Sequence, residues 1–220
     1  MKNESFIVSL SKNPTIKMNV TPGHFTTRHF HVSHYLDLND LKTNASVAKD
    51  VAIELALPYL TTTLVDTIVC MEGTEVIGAY MAQELLNQGT SVVNKGREIN
   101  VVTPMSSVDR KLIFQSNMEG LINDRNVIVL ISSISSGTTL RSALESISYY
   151  GGRLVGISAL FNAYPDRFEE EINSMFTSQD ILNYQVFKAS NCDMCREGSA
   201  LEAIIIKDGY TKIDDDKEKT

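Results

Sequence analysis

No apolar run in this sequence approaches the ~20 residues that span a bilayer. The longest, such as Thr67 to Met71 and Val127 to Ile131, have the length of a single strand, so no membrane-spanning helix is expected. Basic residues are in deficit. Against 27 Asp and Glu stand 20 Lys and Arg, a net charge of −7, and without a basic footprint nucleic acid is not expected as the main partner. Small ligands or proteins fit better. Cysteine is scarce: the three residues, Cys70 inside an apolar run and Cys192 close to Cys195, do not make the disulfide framework of a secreted domain. Reduced thiols or a metal are the remaining uses. No leader is expected either, since Lys2, Glu4 and Lys12 surround only a short Phe6-Ile7-Val8 patch with no small-residue cleavage site, and the expected location is cytoplasmic. No repeat or low-complexity domain appears, and 220 residues suffice to bury one substantial core.

What is present alternates. Asn44 or Ser46 can cap a helix whose apolar positions Val47, Ala48, Val51, Ala52, Leu55 and Ala56 recur at helical spacing until Pro58. Thr67 to Met71 is a β-branched apolar run of the kind buried in a parallel sheet, followed by the turn Glu72-Gly73-Thr74 and a helical stretch over Ile77 to Leu86. The pattern returns with Ile99 to Val102, with Val127 to Ile131 leading through a Ser/Gly/Thr loop into Leu140 to Tyr149, and with Leu154 to Phe161 after Gly151-Gly152. This alternation predicts an α/β fold with a central parallel sheet flanked by helices. Residues 1–35, rich in Thr, Asn, Ser and His, read as irregular or short-stranded structure laid over the core. The polar stretch from Thr103 to Asn126 has weak periodicity and is expected to be mobile in part; residues 214–220 form a charge run expected to be a disordered tail.

The chemistry gathers at Ser135-Ser136-Gly137-Thr138-Thr139. A phosphate monoester at the end of a parallel strand is held by backbone N–H groups at a helix N-terminus, with hydroxyls filling its remaining acceptor sites. Gly137 lets the backbone approach, and no acid in Ile131 to Thr139 repels the anion. The alternative is a plain polar turn with Thr138 or Thr139 as N-cap.

In its order of elements this stretch resembles the type I phosphoribosyltransferases, whose hallmark is an apolar strand, two acidic residues, an apolar pair and a Thr/Ser-Gly-x-Thr phosphate loop. Val127 to Thr139 follows that layout, but the acidic positions fall on Ile131 and Ser132, or on Ser132 and Ser133 with a one-residue gap. Those acids hold the ribose hydroxyls of phosphoribosyl pyrophosphate (PRPP) in the family, and a serine cannot offset the positive charge that develops on the ribose. Glu72, Gly73 and Thr74 match the pyrophosphate loop, and two acids, Glu72 and Glu75, suit a pyrophosphate bridged by Mg²⁺. Phe25-Thr26 and Ser33-x-Tyr35 look like the N-terminal signature of the orotate branch. His29-Phe30, Val32, Thr103-Pro104 and Asn162-Ala163 depart from it where that branch carries Ser-Gly or cations. Arg110 and Lys111, the cations of the long polar loop, could close over a pyrophosphate; the alternative is that they are ordinary solvated loop cations.

The resemblance implies a single domain over residues 1–213, with a core of about 41–162 and a small hood formed by N- and C-terminal segments, about 1–40 and 163–213. It implies a homodimer, a transfer of phosphoribose from PRPP to a base of orotate or another type, and, as the alternative, an inactive binder of PRPP or a nucleoside monophosphate. All four histidines lie between positions 24 and 34, far from Cys192-Asp193-Met194-Cys195. Zinc needs two of them to meet the cysteine pair, which the hood of the family would allow; His29 and His31, sharing one strand face, are the pair expected with Cys192 and Cys195. Otherwise the cysteines sit in a turn before Arg196, and the histidines line a strand or the base pocket.

Overall fold

The computed structural model describes residues 4–27, 30–87, 93–106, 112–165, 167–206 and 209–213. In chain order its elements are β1 (Phe6–Ser9), β2 (Lys17–Thr26), β3 (Phe30–Asp37), α1 (Asn39–Thr43), α2 (Ala45–Ala56), β4 (Thr67–Cys70), α3 (Glu75–Asn87), β5 (Asn100–Val102), β6 (Met105–Ser106), β7 (Leu112–Ile113), β8 (Asn126–Ile134), α4 (Thr138–Tyr149), β9 (Arg153–Asn162), β10 (Ile172–Thr177), β11 (Val186–Lys188), α5 (Asp193–Arg196), β12 (Ala203–Ile206) and β13 (Gly209–Lys212). They form two compact units: unit 1 joins Met1–Asn39 to Ser178–Thr220, and unit 2 is Asp40–Thr177. No helix among the described residues is long and apolar enough to cross a membrane.

Unit 2 contains the expected parallel sheet, in the order β10-β9-β8-β4-β5, every pair parallel. The strand β8 is apolar without alternation because both its faces are covered. Val127, Val129 and Ile131 pack with Leu140, Ala143 and Ile147 of α4. On the other face α3 lies so close that a Cβ on Gly78 would overlap the Cys70 sulfur. Burial there pushes the Cys70 thiol up to about 12, so it is inert packing rather than a nucleophile. Asn44 caps α2, its Oδ1 accepting from the N–H groups of Ser46 and Val47 at 3.2 and 3.5 Å. The buried face of α2 is Ala48, Val51, Ala52, Leu55 and Ala56, and the helix stops at Leu57-Pro58. At the start of β4, the Asp66 carboxylate accepts from Asn126 N–H at 2.9 Å and from Arg97 at 2.8 Å, tying the entry of β8 to the loop before β5.

The N- and C-terminal segments build a separate mixed sheet, β11-β3-β2-β12-β13 with β1 paired to β2. The irregular or short-stranded reading of residues 1–35 is corrected here: β2 and β3 make a long antiparallel hairpin. Met18 and Val20 alternate inward along β2, but His24, His31 and His34 are buried as well, so polarity masks the strand pattern. The register of β2 on β3 shifts between Pro22 and Phe25, a bulge held by Glu202, whose N–H donates to His24 O at 2.8 Å and whose Oε1 accepts from His24 N–H at 3.1 Å. A Cβ on Gly23 would crowd the Phe25 ring and Glu202, which explains a glycine at this point.

Candidate functional site

Strand β4 leads through α3 to β5 on one side, whereas β8, later in the chain, lies on its other side. The connections therefore diverge between the carboxyl ends of β4 and β8, the place where open α/β sheets bind ligands. Two turns face each other there. After β4 the chain passes Glu72 (φ 58) and Gly73 (φ 81), both left-handed and both exposed. A left-handed glutamate is unusual and costs about 1 kcal/mol or more. The Thr74 hydroxyl donates to the carbonyls of Met71 and Leu130 at 3.0 and 3.1 Å and pins the turn from beneath.

The two carboxylates of this turn part company. Glu72 Oε2 accepts from Ser133 N–H at 3.3 Å, on β8, while Glu75 Oε1 accepts from the Thr103 hydroxyl at 3.0 Å, just past β5. One cation missed by sequence reasoning lies against the main chain of this turn: Lys42, buried in α1, donates from Nζ to the carbonyl Glu72 O at 3.2 Å. Nothing in Leu41-Lys42-Thr43 separates it from a solvated helix lysine.

After β8 the half-buried Ser135 and Ser136 lead to Gly137 (φ 79), the N-cap of α4. Thr138 and Thr139 lie inside the helix rather than capping it, and no side chain caps it from Gly137. Ser136 Oγ is 3.0 Å from Thr138 Oγ1 and accepts from Thr138 N–H at 3.3 Å. The Phe168 ring covers the loop where a Cβ on Gly137 would stand. Arg110 and Lys111 lie outside the described residues.

No family model and no curated protein matches this sequence. Solved structures do. The chain is similar to the UMP synthase of Leishmania donovani, with a TM-score of 0.52, 17% identity and coverage of 73% of this chain and 34% of that one. A phosphoribosyltransferase from Corynebacterium diphtheriae gives a TM-score of 0.51 at 15% identity, covering 73% of this chain and 89% of that one. The adenine phosphoribosyltransferase of Leishmania tarentolae gives 0.50 at 12% identity, covering 72% and 84%. The chain has the type I phosphoribosyltransferase fold. At these identities the likeness is one of fold, and the chain spans about a third of the UMP synthase.

Within the phosphoribosyltransferase fold, the position that the gapless alignment assigns to the first acid, Ile131, is wholly buried in the core beneath α4. Ser132 is buried and Ser133 half-buried. Asn162 is also buried, its Oδ1 accepting from Tyr164 N–H at 3.0 Å, and Ala163 beside it carries no charge.

A second group of chemical side chains belongs to unit 1. His24 on β2, His31 on β3, Cys192 and Cys195 offer ligand atoms that all lie within 4.8 Å of one another, and this donor set could bind a metal ion such as zinc. Of the two histidines expected, His31 is present; the second imidazole is His24, and His29 lies outside the described residues. His34, the remaining histidine, is bonded instead to Ser33 Oγ at 2.8 Å and stacked on Tyr184. Burial, then the charge of His24, lowers the His31 pKa and favours its neutral form. Desolvation, then the hydrogen bond and charge of Cys192, raises that of Cys195.

Proposed function

We propose that unit 2 binds the phosphoribosyl group of PRPP or of a nucleoside monophosphate between the turns that follow β4 and β8. The observation that carries this reading is the N-terminus of α4, presented at the diverging point of a phosphoribosyltransferase-type sheet with Gly137 in the left-handed region as its N-cap. Backbone N–H groups and the hydroxyls of Ser135, Ser136, Thr138 and Thr139 would take the 5′-phosphate. Glu72, Gly73 and Thr74, with Lys42 behind them, would meet a pyrophosphate. Glu72 and Glu75 turn to opposite neighbours, so no carboxylate pair is assembled for Mg²⁺. The ion would enter with pyrophosphate oxygens as its main ligands and Glu72 as one more. On the same reading Arg110 and Lys111 close over the pyrophosphate and the chain acts as a homodimer.

Binding without turnover is supported by the lack of an acid on either alignment: Ile131 is wholly buried, and Ser132 and Ser133 carry no charge. One observation favours transfer to a nitrogenous base as a second reading: the Glu72 carboxylate reaches Ser133 from the neighbouring strand, beside the positions left without acids.

Calorimetric titration of PRPP with Mg²⁺ into the full chain tests binding. Thr138→Asp is the informative variant, because an acid in the first turn suits the helix dipole yet repels a phosphate. Thr138 is exposed, so the change disturbs little packing. Binding should fall more than tenfold with an unchanged or higher Tm. If neither PRPP nor any common nucleoside monophosphate binds or raises the Tm of the unmodified chain, the reading is wrong, since saturation at a hundred times Kd adds about 2.7 kcal/mol. Release of pyrophosphate with a base, abolished by Glu72→Gln, would establish transfer.

A further inference from the structure

We infer that His24, His31, Cys192 and Cys195 form a closed structural zinc site in unit 1. Tetrahedral zinc with bonds of about 2.05 Å to nitrogen and about 2.3 Å to sulfur holds two nitrogens about 3.3 Å apart and a nitrogen and a sulfur about 3.6 Å apart. The donors already stand at such spacings. His24 Nε2 is 3.2 Å from His31 Nδ1 and 3.4 Å from Cys192 Sγ. Cys195 Sγ lies 3.3 Å from His31 Nδ1 and 3.8 Å from His24 Nε2. Four of the six edges are thus close to tetrahedral length and all six lie within 4.8 Å, which leaves room for one ion and not for a cluster.

The chemistry of the set narrows the ion. Two thiolates with two imidazoles and no carboxylate suit zinc and disfavour Mg²⁺ or Ca²⁺. His24 Nδ1 lies 2.9 Å from Ser199 O; its N–H donates there, which fixes the tautomer and turns the Nε2 lone pair toward the other three donors. All four positions are filled by protein, and His24, His31 and Cys192 are buried, so no coordination place is left for a substrate.

Each donor is aimed by local structure. The bulge after Pro22 rotates His24 out of the regular ladder, pairing of Thr26 with His31 sets the second imidazole one strand away, and Cys192 stands at the start of α5 with Cys195 one turn on. His24 and Cys192 are 168 positions apart, so the ion would join the two chain segments from which unit 1 is made. Metal binding then contributes directly to the folding of that unit.

Elemental analysis of the full chain, purified without chelator, tests this together with Co²⁺ substitution. The expected result is about one zinc per chain, with the intense visible absorption of tetrahedral Co²⁺ after exchange. Cys192→Ser/Cys195→Ser should lose the metal, while His34→Gln, at the histidine outside the set, should keep it. A readout on the unmodified chain guards against a misfolded variant: zinc should block alkylation of Cys192 and Cys195, a chelator should restore it, and buried Cys70 should stay unmodified in both. Zinc below about a tenth per chain with no cobalt spectrum overturns the site, as does iron in place of zinc or retention of zinc by the double cysteine variant. The site rests on unit 1 alone, so its failure and a failure of PRPP binding are separate results.

Discussion

Gly137 meets two constraints at one position: its φ of 79 is costly for any residue with a side chain, and the Phe168 ring occupies the space a Cβ would need. Gly137→Ala should therefore lose about 2–4 kcal/mol in urea denaturation, the sum of backbone strain and overpacking. An unchanged midpoint would mean that the Phe168 ring yields freely. Ile131 illustrates the converse. On the gapless alignment it stands in the place of an acid of the phosphoribosyltransferase loop, yet it is a core residue under α4, so Ile131→Asp buries a charge instead of restoring a ribose contact. The variant should lose at least about 4 kcal/mol and gain no pyrophosphate release; a folded, more active variant would show that β8 can rotate this side chain to the ligand.

At the scale of elements, β4 is constrained at both ends. At its start, burial raises the pKa of Asp66, but the N–H of Asn126 and the Arg97 guanidinium outweigh it and hold the carboxyl below its usual range. A depressed carboxylate stabilises the fold above its unfolded pKa, and that contribution is lost as pH falls through the lower folded value. Asp66→Asn should thus cost about 1–2 kcal/mol at pH 7 and flatten the acid limb of the stability curve below about pH 4. Parallel curves for the two proteins would show that Asp66 is not stabilised by its partners. At the end of β4, Lys42 props the Glu72 carbonyl from below the turn. If the proposed site is right, Lys42→Met should weaken PRPP on the order of tenfold while changing the affinity for a nucleoside monophosphate little, since only PRPP would bring a pyrophosphate to this turn. Equal losses for both ligands would make Lys42 a support of the fold alone.

On the scale of the molecule, removing zinc should speed hydrogen exchange in β2, β3 and residues 192–199 while β4, β8 and β9 keep their protection; uniform loosening would make the metal global in effect. What the sequence by itself determined is the part written in neighbouring residues. Apolar runs such as Val127 to Ile131, alternating with helical spacing, require a parallel sheet, and Ser135 to Thr139 marks the turn that leads from β8 into α4. The lack of acids at Ile131 and Ser132 is equally plain in the sequence. Only the tertiary structure decided which distant groups meet. A one-residue bulge beside Gly23 sets the strand register and brings His24 to the cysteines, Lys42 is buried under a turn 30 positions later, and Glu72 faces β8 rather than Glu75. Periodicity is a short-range property of the chain, whereas a single inserted residue shifts every contact across a ladder.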